Sequence, residues 1–143
     1  MKILITSDIH GNIKNLKYLK SKYYGYHHLD AGDSVIDNNL LSSLNITSVR
    51  GNCDFNYQLP LYKIVEYGDL KILISHGHLY NVKNSLEEII KWAIKEHANI
   101  LIYGHTHQPL LEQYQNLTIL NPGSLNEGSY AVYQNNKIIL KKV

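Results

Sequence analysis

The sequence predicts an α/β fold with mixed β-sheets, and two observations lead to this prediction. In the first half of the chain, short apolar runs typical of strands alternate with segments of helical periodicity. In the second half, short apolar runs follow one another and are separated by turn residues, as in antiparallel hairpins. Two sheets packed face to face, with helices on the outside, accommodate all of these strands.

The first half contains three predicted strands and two predicted helices. Runs rich in Ile, Leu and Val predict strands over 2–6, 28–31 and 46–49. Helices are predicted over 12–24 and 38–44. In the longer helix, the apolar residues recur at helical spacing and lie on one face: Ile13, Leu16, Leu19 and Tyr23. Asn12 is a candidate N-cap of this helix.

The second half is predicted to be richer in strands. Gly68-Asp69 joins two apolar runs, over 62–67 and 70–75, and predicts a hairpin. A helix is predicted over 85–96, where Ser85 and Glu88 match a capping box. The remaining predicted strands cover 100–103, 110–114, 117–120, 130–133 and 138–140.

Composition restricts the function classes. With 143 residues, 44% of them hydrophobic, the chain is expected to form one globular domain over 1–143. The formal charge is only +2 and Arg50 is the single arginine, so we expect neither strong nucleic-acid binding nor attraction to a membrane surface. Cys53 is the only cysteine, which excludes an internal disulfide. The apolar run at the start is too short for a signal peptide, so a cytoplasmic protein is expected.

Five clusters of polar residues follow predicted strands. In chain order they are Asp8-Ile9-His10-Gly11-Asn12, Gly32-Asp33, Gly51-Asn52-Cys53-Asp54, His76-Gly77-His78 and Gly104-His105-Thr106-His107. In an open α/β sheet, ligands bind beyond the carboxyl ends of the strands. The five clusters are therefore expected to converge on one site.

The side chains in these clusters are typical of a metal site. Carboxylate, imidazole and amide ligands suit Mn²⁺, Fe²⁺, Zn²⁺ or Ni²⁺, and a shared carboxylate can hold two ions about 3.5–4 Å apart. Asp8 and His10 are alternate residues of an extended segment and can reach one ion, as can His105 and His107. Glycines beside every cluster let the backbone turn sharply.

In this order, the five motifs resemble the signature of the calcineurin-like metallophosphoesterases. The sequence 121–124, Asn-Pro-Gly-Ser, is similar to the small prokaryotic branch of that family. The resemblance extends from Met1 to the last strands and implies a four-layer α/β/β/α sandwich. It also implies hydrolysis of phosphoesters by a hydroxide held between two divalent metal ions, with Mn²⁺ favoured and Ni²⁺, Fe²⁺ or Zn²⁺ as alternatives.

The resemblance also implies a ligand for each metal position. Carried over by motif, the first ion is bound by Asp8, His10 and His107, the second by Asn52, His76 and His105, and Asp33 bridges them. Many family members have a His general acid at the position of Cys53. Because this residue is missing, His78 is the better candidate for contacting the phosphate or the leaving oxygen. The candidate catalytic residues are therefore His78, Asp54 and Asn52.

Simpler interpretations exist for single residues. Asp8 could cap a helix, and Asp33 could be a turn residue. Asp54 could either orient a ligand or cap the next segment. Cys53 is interpreted as a packing residue, and Arg50 as a charge at a strand end. The tyrosines, including Tyr57, are interpreted as core or surface residues.

The leading functional prediction is a phosphodiesterase acting on small phosphoesters. A phosphomonoesterase with the same site is the main alternative, followed by a nuclease or by a non-catalytic scaffold, as in a eukaryotic retromer subunit of this fold. A chain without a cap domain predicts an open site and broad activity. No membrane partner is expected, and the sequence leaves open whether the protein forms a homo-oligomer.

Overall fold

The computed structural model describes all 143 residues and contains ten β-strands and three α-helices. In chain order, these elements are β1 (Ile3–Thr6), α1 (Ile13–Lys22), β2 (His27–Asp30), α2 (Asn38–Ser43), β3 (Ile46–Ser48), β4 (Tyr62–Tyr67), β5 (Leu70–Ser75), α3 (Glu87–Lys95), β6 (Ile100–Ile102), β7 (Leu110–Tyr114), β8 (Leu117–Asn121), β9 (Ser129–Gln134) and β10 (Lys137–Lys142). Two short 3-10 helices cover His78–Tyr80 and Leu125–Glu127. None of the helices has the length and apolar character needed to cross a membrane.

The strands form two mixed five-stranded sheets. The first has the order β10-β9-β1-β2-β3. Strands β1, β2 and β3 are parallel to one another, and β9 is antiparallel to both of its neighbours, β1 and β10. The second has the order β4-β5-β6-β8-β7, with β5, β6 and β8 parallel and an antiparallel strand at each edge. The predicted α/β class with mixed sheets is therefore confirmed.

Side chains of β1 point alternately to the two faces of the sheet, and this alternation shows how the layers are built. Ile3 and Ile5 point into a core that also contains Ile72 and Ile102 of the second sheet, so the two sheets pack face to face. Leu4, on the opposite face of β1, packs in a second core that lies under α1 and α2. This arrangement places helices outside the first sheet.

The second sheet is covered in the same way. Leu73 and Leu101 face outward from β5 and β6 and pack against Ile89 and Ala93 of α3. Four layers result, in the order helix, sheet, sheet, helix. This arrangement confirms the α/β/β/α sandwich implied by the family resemblance.

Helix starts show one success and one error of local prediction. Asn12 caps α1, since its side-chain oxygen accepts a hydrogen bond from Asn15 N at 3.0 Å. The capping box at Ser85 was wrong, because α3 begins only at Glu87 and Ser85 Oγ accepts from Glu87 N at 3.1 Å. The backbone N–H of Ser85 still bonds to Asn81 O of the preceding turn, so Ser85 lies one residue too early to cap the helix.

Candidate metal centre

The five polar clusters meet at one edge of the sandwich. Backbone hydrogen bonds join the first two clusters, with Asp8 N bonded to Gly32 O at 2.9 Å. Gly104 N donates to His76 O at 3.1 Å and joins the last two clusters. Because β1, β2 and β3 are parallel, as are β5 and β6, their carboxyl ends lie side by side. The predicted convergence of the motifs is therefore observed.

Three residues lie buried at the bottom of the site, and we call them the floor: Asp8, Asp33 and His76. Their side chains are at most 3% exposed, which is unusual for charged or titratable groups. His76 Nε2 lies 3.1 Å from Asp33 Oδ2 and 3.8 Å from Asp8 Oδ1. These three side chains thus point into the same small volume.

A more exposed ring of residues, which we call the rim, surrounds the floor: His10, Asn52, Cys53, His105 and His107. His107 Nε2 lies 3.1 Å and His10 Nε2 lies 3.5 Å from Asp8 Oδ1. The His105 ring meets the His76 ring edge to face, with ring centroids 5.1 Å apart. The exposed side-chain amide of Asn52 lies 3.5 Å from the sulfur of Cys53.

Potential ligand atoms fall into two groups. Within each group the atoms lie no more than 4.8 Å apart, and the groups are Asp8 with His10 and His107, and Asp33 with His76 and His105. Each group could hold one metal ion. A further combination, of His10, Asp33 and Cys53, connects the two groups.

The tautomer of His76 indicates that a positive charge fits between its Nε2 and the Asp33 carboxylate. His76 Nδ1 is 2.8 Å from Ala31 O, and since a carbonyl can only accept, Nδ1 carries the proton. The Nε2 lone pair of a neutral ring therefore faces a carboxylate oxygen at 3.1 Å, an arrangement that needs a cation or a proton between them. Asp8 Oδ1, His10 Nε2 and His76 Nε2 are buried without a hydrogen-bond partner. Such orphaned acceptors fit a bound cation.

Electrostatics keep Asp33 ionised. Burial acts against the charged form, but the adjacent His76 ring and the hydrogen bond from Cys53 N lower the pKa of Asp33 to about 2. Burial also acts to lower the pKa of His76, yet Asp33 and Asp8 raise it above the ordinary value. Asp8 and Asp33 thus favour a positive charge at this point of the site.

Asp8 is held in place by hydrogen bonds from Ser7, His105 and Ser124. Asp8 Oδ2 accepts hydrogen bonds from Ser7 Oγ at 2.6 Å and from His105 N at 3.1 Å. Ser124 Oγ donates to the backbone carbonyl of Asp8 at 2.8 Å. The remaining oxygen, Oδ1, therefore faces the histidines. The resemblance of the sequence 121–124 to the small prokaryotic branch gave a signal for Ser124, whereas nothing in the sequence distinguished Ser7.

Asp54, a candidate catalytic residue, lies buried beside the floor. Its Oδ2 accepts hydrogen bonds from Gly51 N at 2.7 Å and Asp33 N at 2.9 Å, and its Oδ1 accepts from Val35 N at 3.0 Å. Both oxygens are thus engaged by the backbone of the two loops. Asp54 fixes the position of Asp33 through these bonds.

His78, a second candidate, lies next to the second group of ligands. Its ring centroid is 5.5 Å from that of His76 and 6.2 Å from that of His105. Burial, and then the charges of His76 and Arg50, lower the pKa of His78 below its ordinary value. Burial and the charges of Asp33 and Asp54 raise the pKa of the Cys53 thiol. Both side chains are therefore mainly uncharged at neutral pH.

Left-handed backbone conformations are concentrated at the site. Positive φ angles occur at five of the predicted ligands: Asp8 (50°), His10 (46°), Asp33 (55°), His105 (71°) and His107 (62°). Such angles are uncommon outside glycine and cost on the order of 1–3 kcal/mol each when the surroundings impose them. The backbone adds a further constraint where it passes close to side chains of the site. A Cβ at Gly51 would collide with the Asp33 carboxylate, and a Cβ at Gly104 would collide with Ser7.

The fold and the two groups of ligands define a metal-binding protein of the metallophosphoesterase class. A sequence profile of the calcineurin-like phosphoesterase superfamily domain matches residues 1–138. The chain therefore belongs to this superfamily.

Known proteins resemble the chain in sequence and in fold. The probable metallophosphoesterase YsnB of Bacillus subtilis (strain 168) is 30% identical over 127 residues, which cover 87% of this chain and 75% of YsnB. The crystal structure of a predicted phosphoesterase from Streptococcus pneumoniae TIGR4 has a TM-score of 0.89 at 28% identity, covering 99% of this chain and 88% of the other. Vps29 of Entamoeba histolytica, in complex with zinc, has a TM-score of 0.77 at 19% identity, covering 100% and 98%. This last similarity shows the shared fold alone.

Proposed function

We propose that this protein hydrolyses phosphoesters, with phosphodiesters favoured, at a site that holds two divalent cations. The observation that carries the proposal is the pair of ligand groups arranged around buried acceptor atoms without hydrogen-bond partners. Family membership supports the phosphoester substrate.

Each group of residues would hold one cation. Asp8, His10 and His107 would bind the first, and His76, His105 and Asn52 the second, with Asp33 shared. The sharing is supported by the position of Asp33, which has a carboxylate oxygen within 4.8 Å of a ring nitrogen of His10 and one within 4.8 Å of ring nitrogens of His76 and His105. When bound, two cations acidify water and neutralise the charge of phosphoryl oxygens. Mn²⁺ is favoured by the family resemblance, and the four histidine ligands would also suit Fe²⁺, Zn²⁺ or Ni²⁺.

Two side chains next to the ligand groups, His78 and Cys53, are uncharged in the metal-free protein. His78, with its lowered pKa, would donate a hydrogen bond to the phosphate or the leaving oxygen as a neutral imidazole. The raised pKa of Cys53 makes the thiol a weak acid for protonating an alkoxide. A site with these two side chains is suited to substrates whose leaving group departs without being protonated by a strong acid. Diesters with a stable leaving group meet this condition.

A non-catalytic scaffold is the second candidate function. The fold shared with Vps29 supports this candidate. The floor of the site weighs against it, because a scaffold gains nothing from buried acceptors without partners, which cost free energy unless a cation satisfies them.

A metal-by-substrate panel tests the proposal. Protein stripped of metal would be loaded with Mn²⁺, Ni²⁺, Fe²⁺ or Zn²⁺ and assayed with bis(p-nitrophenyl) phosphate and p-nitrophenyl phosphate. We expect two ions per chain, fastest turnover with Mn²⁺, and a higher kcat/KM for the diester. A higher value for the monoester would reverse the substrate preference. Two tightly held ions without hydrolysis of either ester would establish the scaffold instead.

A further inference from the structure

A groove with a volume of about 820 Å³ lies beside the metal centre. Its walls come from the loop after β3, from β4, from the 3-10 helix at 78–80 and from α3. The lining residues that matter here are Arg50, Tyr57, Tyr62, His78, Tyr80 and Trp92. The groove was not expected from a chain without a cap domain.

Aromatic side chains form one wall of the groove. The Tyr80 ring stacks on Trp92 with centroids 4.6 Å apart, and the Tyr62 ring meets Trp92 edge-on at 5.0 Å. Tyr62 is 51% exposed and Tyr57 is 79% exposed. Exposed aromatic rings gathered in one concave surface mark a binding site, and they suit a planar ring in particular.

The charge of the groove is positive. Arg50 is the only arginine in the protein, and its guanidinium lies 5.1 Å from the centroid of the Tyr57 ring. Lys63 also lines the groove, and no Asp or Glu does. The one ion pair between a Lys or Arg and a carboxylate in this protein joins Lys91 and Glu87, so Arg50 has no acidic partner. An unpaired guanidinium beside aromatic rings is complementary to a phosphate group.

The groove is continuous with the metal centre. His78 lines the groove, and its ring centroid lies 5.5 Å from that of the floor residue His76. Its buried Nδ1 has no hydrogen-bond partner. A ligand with its phosphorus at the metal centre can therefore extend past His78 into the groove.

We propose that the groove binds one arm of a phosphodiester substrate, and that this arm is a nucleoside carrying a second phosphate. The base would lie on the aromatic wall, and the second phosphate would be bound by Arg50. The ligand is a small nucleotide, because a net charge of +2 does not favour a long nucleic acid. The reaction of this ligand rests on the proposed function, but its binding does not.

Binding can be measured without catalysis because Trp92 is the only tryptophan and lies in the groove. Metal-free protein would be titrated with thymidine 3′,5′-bisphosphate while tryptophan fluorescence is recorded. We expect a saturable change, and none with inorganic phosphate. Tyr57→Ala and Arg50→Gln should each raise the Kd about tenfold, the size expected for loss of one stacking or charged contact. Tyr24→Ala and Lys17→Gln, exposed residues outside the groove, serve as matched controls.

Hydrolysis gives a second, independent readout. Three diesters release the same p-nitrophenolate and differ in the other arm: methyl p-nitrophenyl phosphate, thymidine 5′-(p-nitrophenyl phosphate) and its 3′-phosphorylated form. We expect kcat/KM of the Mn²⁺ enzyme to rise in this order. Tyr57→Ala should reduce the ratio of thymidine to methyl ester, and Arg50→Gln the ratio of phosphorylated to unphosphorylated thymidine ester.

The two readouts separate the possible failures. Equal kcat/KM for the three esters together with no fluorescence change would overturn the groove proposal. Saturable, Arg50-dependent binding without hydrolysis of any ester would uphold the groove and overturn the proposed function. Ratios that fall equally in the groove variants and in the two control variants would also contradict the assignment.

Discussion

The floor and the rim of the metal centre differ in how firmly the fold holds them. Asp8, Asp33 and His76 are almost fully buried, and each is fixed by hydrogen bonds to neighbouring loops. His10, His105 and His107 are partly exposed, and Asn52 is exposed. His107 has one side-chain partner besides Asp8, the exposed Glu127, whose Oε2 lies 3.4 Å from His107 Nδ1.

This difference indicates a division of labour within one site. The floor is preorganised, since its acceptor atoms keep their spacing through bonds that do not involve a metal. In the proposed site, the rim would complete the coordination with side chains that are more exposed. Substitutions in the floor should therefore have larger effects than substitutions in the rim, and the following experiments test that ranking.

The largest effect is expected for Asp33→Asn. Removing the charge of the shared carboxylate should weaken both cations together and lower kcat/KM at least about thousandfold, because each ligand group loses an anionic oxygen. Metal content and diester hydrolysis would be measured. Asp37→Asn is the control, since Asp37 caps α2 outside the site and Asn is an equally good cap. A variant that still holds two ions tightly would contradict the shared role.

A large effect on stability is expected for Asp54→Asn. An amide nitrogen would replace one of the oxygens that accept the three backbone N–H groups, so a buried donor would face another donor. We expect the metal-free protein to lose about 2–3 kcal/mol of unfolding free energy. Urea unfolding measures this loss. If hydrolysis fell while the unfolding free energy stayed the same, Asp54 would act on the substrate directly.

A small effect is expected for Glu127→Gln. Glu127 is 60% exposed, and its interaction with His107 Nδ1 is screened by solvent. Metal affinity at the first ligand group should fall about threefold, with stability unchanged. Competition with a chelator gives the affinity, and Glu112→Gln on β7 is the control. A hundredfold loss would mean that the rim is held as firmly as the floor.

The smallest effect is expected for Cys53→Ser. Cys53 is exposed, so its interpretation as a packing residue was wrong, and serine is a replacement of similar size at a position with few packing contacts. We expect kcat/KM within about twofold of the original value and an unchanged pH profile. Loss of the alkaline limb of the profile, or of several orders of magnitude in rate, would identify Cys53 as the general acid.

Sequence patterns predicted most of the fold because they depend on near neighbours. The alternation in β1, the Asn12 cap of α1 and the turn at Gly68-Asp69 each involve residues a few positions apart. The error at Ser85 is of the same kind, since the preceding turn decided where α3 begins. Metal-competent residues at strand ends were visible for the same reason, because side-chain chemistry and strand ends are both local.

Local patterns did not reveal how those residues meet. The bond from His105 N to Asp8 Oδ2 joins positions 97 residues apart and exists only because of the order of strands in two sheets. Left-handed backbone at Asp8 and Asp33 is imposed by the packed loops, against the local preference of both residues. The backbone conformation of Asp33 therefore depended on the tertiary structure.

The sequence by itself determined the strands, the layers and the set of candidate ligands, because alternation and side-chain chemistry can be read from neighbouring positions. The tertiary structure alone decided which oxygen of each carboxylate faces the histidines and which is engaged by the backbone. It also decided that Arg50, Tyr57 and Trp92 share a groove beside the centre. Both decisions depend on contacts between distant segments, which sheet order and packing create.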